Sequence, residues 1–113
     1  MMATDQALVD LLNLSVTLRE LERDSMGNTS TKADQAGVSA HVEYQRRQTF
    51  DRAGEKVIAQ STIFFDDSIS FDWSDSDNEW VILWNDLTFK VVSAEAINDP
   101  RTGALHHWEM LCV

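Results

Sequence analysis

The sequence predicts an all-β protein, a small antiparallel barrel with a short N-terminal helix and long loops. Short runs in which apolar and polar residues alternate follow one another through most of the chain. Clusters of turn-forming residues separate these runs. The 113 residues, 43% of them hydrophobic, suffice for one domain with a real core. Closure of the sheet is favoured because it removes exposed strand edges.

The N-terminal 13 residues are predicted to form a helical arm, with residues 14–113 as the single barrel domain. Thr4 or Asp5 can cap a helix over residues 4–13, and an acidic residue suits the positive end of the helix dipole. Three leucines then share one helical face: Leu8, Leu11 and Leu12.

The strands follow from strict alternation, and the loops from polar composition. Residues 23–37 are rich in Ser, Thr, Asn, Asp and Gly, which predicts a turn or mobile loop. Residues 45–56 are polar with a turn at 51–54, and further turns are predicted at Asn85-Asp86 and 98–103. Six or seven strands are predicted, at 14–22, 38–44, 57–65, 68–73, 80–84, 87–94 and 105–111.

The charge excludes several classes of protein. Nine Lys and Arg stand against 19 Asp and Glu, giving a net charge of −10. Such a chain is a poor ligand for nucleic-acid phosphates and for anionic membrane surfaces.

No window offers a transmembrane helix, and the start of the chain lacks the pattern of a secretory signal. A lone Cys112 cannot form an internal disulfide, which suits a reducing cytoplasm.

The histidines invite a metal site, which the pattern does not favour. His106 and His107 are adjacent on a predicted strand and should point to opposite faces, so one ion cannot easily take both. His41 lies on another predicted strand. We therefore expect these histidines to be polar strand residues near an interface, and we expect neither a metal nor a cofactor.

Six acids and no base lie between residues 66 and 79. The stretch 75–79 faintly resembles a calcium loop but lacks its central Gly and its final Glu. A solvated acidic loop is the favoured interpretation. Its candidate functional members are Asp72, Asp75, Asp77 and Glu79.

No pattern points to an enzyme. No nucleophile stands with a base and an orienting partner, and no Gly-rich phosphate loop is present. Cys112 is expected to be buried and inert. The four tryptophans are either a ligand platform or, as strand residues more often are, core or subunit-interface anchors: Trp73, Trp80, Trp84 and Trp108.

Four of the nine bases lie within eleven residues: Arg46, Arg47, Arg52 and Lys56. This basic island is either a solvated hairpin or a loop that meets an acidic neighbour, such as the acidic stretch of the next copy in a ring.

The C-terminal third resembles the end of the head-completion proteins of tailed phages, the head-to-tail stopper or head–tail adaptor family. The matching residues are Phe89-Lys90-Val91-Val92, Asp99-Pro100-Arg101-Thr102-Gly103, His106-His107 and Glu109. Upstream, Val16-Thr17-Leu18 and Val42-Glu43-Tyr44-Gln45-Arg46-Arg47 keep the same order. The resemblance covers roughly residues 14–113 and is sharpest over 84–109.

The resemblance implies a barrel of the SH3- or OB-like kind that forms a homo-oligomeric ring of six or twelve copies in the virion neck. The ring would sit between the portal or adaptor protein and the tail terminator or tail tube. It would close the channel after packaging, with loops 24–37 and 46–56 as candidate gates. Acidic residues would let genomic DNA pass without sequence-specific binding. The candidate interface residues are Arg46, Arg47, Arg52, Lys56, Trp84, Asp99, Arg101, His106 and His107.

Two other functions fit the sequence. A tail terminator of the same virion would cap the tail tube from the opposite side. An acidic DNA-mimic inhibitor would use its carboxylates to occupy a nucleic-acid-binding enzyme, although the clustered arginines and four tryptophans fit that function poorly. High acidity is also typical of proteins from a high-salt host.

Overall fold

The computed structural model describes residues 13–73 and 78–113, which form eight strands and, within those ranges, no helix. The all-β, antiparallel prediction is confirmed. The predicted helix over 4–13 lies outside the described residues except for Asn13, which is exposed and precedes the first strand. The strands are β1 Leu14–Arg23, β2 Thr29–Glu43, β3 Arg47–Phe50, β4 Lys56–Ala59, β5 Ser61–Asp66, β6 Asn78–Trp84, β7 Leu87–Asn98 and β8 Leu105–Cys112.

Six of the strands form one sheet that closes on itself in the order β1-β2-β5-β8-β7-β6. Closure occurs where β6 pairs with β1, in a ladder that runs from Thr17↔Leu83 to Glu22↔Asn78. The remaining strands, β3 and β4, form a separate two-stranded hairpin. The chain therefore consists of a closed antiparallel barrel and one hairpin inserted between β2 and β5.

The core is the inner face of the barrel, where every second residue of each strand points inward. The large, fully buried apolar side chains come from four different strands: Leu18, Ile63, Phe65, Ile82 and Met110. Each such side chain contributes roughly 1.5–3 kcal/mol by leaving water. Tryptophans 73, 84 and 108 pack against this core, while Trp80 belongs to it.

The loop predicted over residues 23–37 is wrong for most of its length. Only the turn after Asp24 is irregular, and the Asp24 carboxylate accepts the backbone N–H groups of Met26 and Asn28, both at 2.9 Å. From Thr29 onward the chain belongs to β2, which pairs with β1. The polar composition misled the prediction because this hairpin is exposed on both faces and needs no apolar alternation.

The strand predicted over residues 57–65 divides in two at Gln60, although its alternation is unbroken. Ala59 and Ser61 are both buried, yet β4 pairs with β3 and β5 pairs with β2 and β8. The Gln60 N–H donates to the Cys112 carbonyl at 2.8 Å. The alternation of buried residues therefore continues through Gln60, while the strands to which the chain hydrogen-bonds change there.

The strand predicted over residues 68–73 is also wrong, because this segment is irregular. Its apolar residues still face inward, since Ile69 is buried and Phe71 packs on the core. At its centre, the Ser70 N–H donates to Gln35 Oε1 at 2.7 Å, and Gln35 Nε2 donates to the Ser70 carbonyl at 2.6 Å. A side-chain amide thus pairs with Ser70 as a neighbouring strand would.

The predicted turns at 51–54, 85–86 and 98–103 are confirmed. Asn85 has a φ of 53°, a left-handed conformation that asparagine tolerates better than most residues. At the last turn, the Gly103 N–H donates to the Asp99 carbonyl at 2.7 Å, with Gly103 at a φ of 74°. The turns at 85–86 and 98–103 join β6, β7 and β8 into a continuous meander. Within the described ranges, no helix has the length and apolarity needed to cross a membrane.

Candidate assembly surface

The basic island lies on the β3–β4 hairpin. Arg46 precedes β3, Arg47 begins it, Arg52 lies in the connecting turn and Lys56 begins β4; all four are exposed. The turn is fixed by Asp51, whose carboxylate accepts the backbone N–H groups of Ala53 and Glu55 at 3.0 and 2.9 Å. Segment 46–56, expected as a loop, is therefore an ordered ribbon.

The two faces of this ribbon differ in burial. Cross-strand register places Thr49 opposite Val57 on the inner face, where both are half-buried, and Ala59 on that face is fully buried. The outer face, which we call the hairpin face, consists of Gln48, Phe50, Lys56 and Ile58. Phe50 is 58% exposed and Ile58 is 40% exposed. Large apolar side chains gathered on an exposed face are typical of an interaction surface.

Tyr44 extends the apolar character of this region. It lies between β2 and β3 and is 67% exposed, with its ring 6.5 Å from that of Phe89. Sequence reasoning missed Tyr44, Phe50 and Ile58 as candidate site residues, because the alternation alone does not say which face of a two-stranded ribbon meets the barrel.

Arg52, although exposed, binds the barrel of its own subunit. Its guanidinium lies 4.0 Å from the centre of the Trp73 ring, and it donates a hydrogen bond to the Asn78 carbonyl. A cleft of about 260 Å³ surrounds this contact, lined by residues of the hairpin turn, Glu79 and Lys90. Arg52, predicted as an interface residue, therefore attaches the hairpin to its own barrel.

Four cations of the barrel form ion pairs with its carboxylates. Arg19 forms a bidentate pair with Asp34, at 2.8 and 2.9 Å, and this hydrogen bonding raises the pKa of Arg19 and lowers the pKa of Asp34. The remaining pairs are Arg23 with Glu79 at 2.7 Å, Lys32 with Glu20 at 3.6 Å, and Arg101 with Asp99 at 3.2 Å.

Four of the nine basic residues thus lack an ion pair with any described residue: Arg46, Arg47, Lys56 and Lys90. Three of them belong to the hairpin segment, and Lys90 lines the cleft beside the hairpin turn. The positive charge that is available to a partner is therefore concentrated at one place on an acidic protein.

The tryptophans form part of an aromatic cluster centred on Phe71. The Phe71 ring lies 5.8 Å from Trp73, 4.7 Å from Trp80 and 4.9 Å from Trp108. The indole N–H groups of Trp80 and Trp108 are buried without a partner in the described part of the chain. Trp84 is half-buried at the end of β6. The cluster anchors the irregular segment 67–73 to the barrel.

The predicted acidic stretch is only partly described, since Asp75 and Asp77 lie outside the described residues. Asp72 is exposed and lines a second cleft of about 300 Å³ together with Glu20, Lys32 and Asn78. Glu79 lies in β6 and pairs with Arg23 of β1. The predicted acidic loop therefore ends in a strand, where one of its charges is neutralised.

Asp99 and Arg101, both predicted interface residues, form one turn. The Asp99 carboxylate accepts the guanidinium of Arg101 at 3.2 Å and its backbone N–H at 2.8 Å. These hydrogen bonds, the guanidinium first, hold the pKa of Asp99 below its usual value. The Asp-Pro-Arg sequence is therefore explained by the hydrogen bonds that stabilise this turn.

The histidines depart from the expectation that neighbours on a strand point to opposite faces. The ladder between β7 and β8 is irregular where Ile97 pairs with His107 and Asn98 with Leu105, which leaves His106 as an extra residue. This bulge brings Nδ1 of His106 within 2.8 Å of Nδ1 of His107. One ring must donate and the other accept, so the pair is a hydrogen-bonded unit.

His41 and His107 lie on one face of the barrel, on either side of Phe64. The Phe64 ring is 5.8 Å from the His41 ring and 6.2 Å from the His107 ring. Even so, the described residues contain no group of three His, Cys, Asp or Glu that could hold a metal ion. Cys112 is fully buried, and this burial raises the pKa of its thiol to about 12.

A second feature of this face was missed by sequence reasoning. Glu95 of β7 and Glu109 of β8 are direct cross-strand partners, and Glu109 is also the partner of Phe64. We call the row Phe64, Glu95 and Glu109 the glutamate face. Like charges placed directly opposite each other repel. No described Lys or Arg pairs with either carboxylate, and only His107 Nε2 approaches Glu109, at 3.7 Å.

No family model matches this chain, and no curated protein matches it significantly. The fold and the two charged faces are therefore the structural basis for any functional proposal.

Proposed function

We propose that this protein is a structural subunit of the neck of a tailed virus, which assembles into a homo-oligomeric ring of six or twelve copies. The ring lies between the portal or adaptor protein and the tail terminator or tail tube. It closes the DNA channel after packaging and provides the surface on which the tail docks. We further propose that the barrel is of the SH3- or OB-like kind, extended by the β3–β4 hairpin.

One observation carries the proposal. Residues 84–109, over which the resemblance to head-completion proteins is sharpest, run from the end of β6 through β7 into β8, with turns at 85–86 and 98–103. A string of residues that resembles a family and also folds as one contiguous unit is better support than scattered identities.

The charge distribution supports the same function. DNA that passes through a channel must not adhere to it, and carboxylates repel phosphates at the short distances inside a ring. Asp72 is exposed in the described part of the acidic stretch, and we propose that this stretch faces the channel. The basic hairpin, in contrast, would face a neighbouring subunit.

The test is the phenotype of virions that lack this protein, in the host that produces them. We expect full-length tails and heads that lose their DNA, with gold-labelled antibody against the protein marking the neck of wild-type particles. Stable DNA-filled heads with tails of irregular length would assign it instead to the tail terminator. Normal particles without label, together with capture of a DNA-processing enzyme, would assign it to the DNA mimics and refute the proposal.

A narrower test concerns the acidic stretch. Replacement of Asp72, Asp75, Asp77 and Glu79 by their amides is expected to slow DNA ejection, because passing phosphates would no longer be repelled. The matched control changes Glu22, Glu43, Glu55 and Asp86 to amides, which alters the net charge equally. Unchanged ejection by the first variant would refute the assignment of these acids to the channel.

A further inference from the structure

We propose that the hairpin face of one copy binds the glutamate face of a second copy. The inference deepens the proposed function, on which the ring geometry rests, by naming the two surfaces that join neighbouring subunits. The charges and burial of the described residues support association between two copies without reference to a ring.

The donor surface combines exposed apolar area with available positive charge. Phe50 and Ile58 lie diagonally on the hairpin face, at 58% and 40% exposure. Lys56 stands on the same face and Arg46 immediately precedes β3, while Arg47, opposite Ala59, belongs to the inner face by register. None of these three cations has an ion pair among the described residues. Apolar anchors with a cationic rim are typical of a surface that binds an acidic partner.

The acceptor surface has the opposite character. Glu95 and Glu109 face each other across the β7–β8 ladder without a described Lys or Arg partner. Phe64 lies beside them in register and is half-buried, so its ring offers apolar contact. A cation from outside the subunit would relieve the repulsion between the two carboxylates, which no described cation of the same subunit does.

A second copy is the occupant that the charges favour. Segment 46–56 carries four bases and two acids, whereas the whole chain carries a net charge of −10. Two copies therefore repel each other except where a hairpin meets an acidic surface. Because the two faces are different patches, the contact is heterologous, and such contacts build rings when the rotation between copies closes.

The experiment is a charge exchange, measured by sedimentation velocity on the full chain at low and at physiological ionic strength. The donor variant carries R46E and K56E, and the acceptor variant carries E95R and E109R. Each variant alone is expected to self-associate at least about tenfold more weakly than the wild type. Mixed together, the two variants should form a complex in which each reversed face meets its reversed partner.

The control variant carries E22R and D86R. It makes the same charge change as the acceptor variant, on exposed acids at other positions. It should associate at least as well as the wild type, because it lowers the net negative charge without altering either face. A milder acceptor variant, E95Q with E109Q, retains side-chain shape, and its Tm shows that weakened association is not unfolding. It too should associate more weakly.

Three outcomes would overturn the inference. These are a monomeric wild type at low ionic strength, an unaltered acceptor variant, and a hairpin that binds a short DNA duplex instead of a second copy. The proposed function would survive the second outcome, since a neck ring can be joined through other surfaces. Conversely, self-association through these faces would stand even if virion labelling placed the protein elsewhere.

Discussion

The guanidinium of Arg52 stacks on the indole ring of Trp73 at 4.0 Å and thereby joins the hairpin to the aromatic cluster of the barrel. The same side chain donates to the backbone carbonyl of Asn78, at the start of β6. Three parts of the chain that are distant in sequence meet at this one arginine.

We expect Arg52→Ala to lower the free energy of unfolding by about 1–2 kcal/mol, because it removes a cation–π contact and a charge-assisted hydrogen bond. Urea unfolding followed by tryptophan fluorescence measures the change. Arg47→Ala is the matched control on the same hairpin. It should shift stability by less than about 0.5 kcal/mol, as surface substitutions usually do. Equal effects of the two variants would contradict the assigned role of Arg52.

The side chain of Gln35 should hold the Ser70 backbone in place as a neighbouring strand would. Gln35→Ala removes both hydrogen bonds to the Ser70 backbone and is expected to cost about 1–3 kcal/mol. Hydrogen exchange at the Ser70 amide should accelerate, while exchange in the β5–β8 ladder stays slow. Gln48→Ala, on the exposed hairpin face, is the control. A Ser70 amide that exchanges at the wild-type rate in Gln35→Ala would refute this role.

Asp99 should make the last turn sensitive to acid. Because hydrogen bonds from Arg101 lower its folded-state pKa, ionised Asp99 stabilises the fold above the ordinary carboxyl pKa of about 3.9. That stabilisation is lost as the pH falls through the folded-state value. The Tm difference between wild type and Asp99→Asn is therefore expected at neutral pH and should shrink on acidification. A difference that grows as the pH falls would contradict this sign.

Cys112 should resist thiol reagents in the folded protein. Burial raises the pKa of its thiol to about 12, so at pH 8 only about one thiol in ten thousand would be the reactive thiolate. Iodoacetamide should label the protein slowly in buffer and rapidly in urea, as mass spectrometry can follow. Rapid labelling of the native protein would show that β8 opens locally.

Much of the fold could be predicted because burial in this chain follows a period of two. Ser61, Ile63 and Phe65 all point inward, as their alternation predicts. The alternation does not specify the partner of each strand. Hence the sequence does not indicate that the chain passes from one sheet to another at Gln60. It also does not indicate that Ser70 pairs with a side chain.

The candidate site was predictable in composition but not in arrangement. The basic island is visible in the sequence, whereas the detachment of Arg52 from it depends on Trp73, 21 residues further along the chain. The pairing of Glu95 with Glu109 is invisible without the register of β7 against β8. The His106–His107 contact requires a bulge that composition does not indicate.

The closed strand order constrains how this protein matures on the ribosome. Of the described strands, β8 is synthesised last, yet it lies between β5 and β7 and completes both ladders. Until β8 is synthesised, β5 and β7 each have one unpaired edge. In the same way, β1 cannot pair with β6 until some sixty further residues of the chain have been synthesised. Folding therefore cannot proceed stepwise from the N-terminus, and we expect it to be slow and concerted, after translation of the final strand.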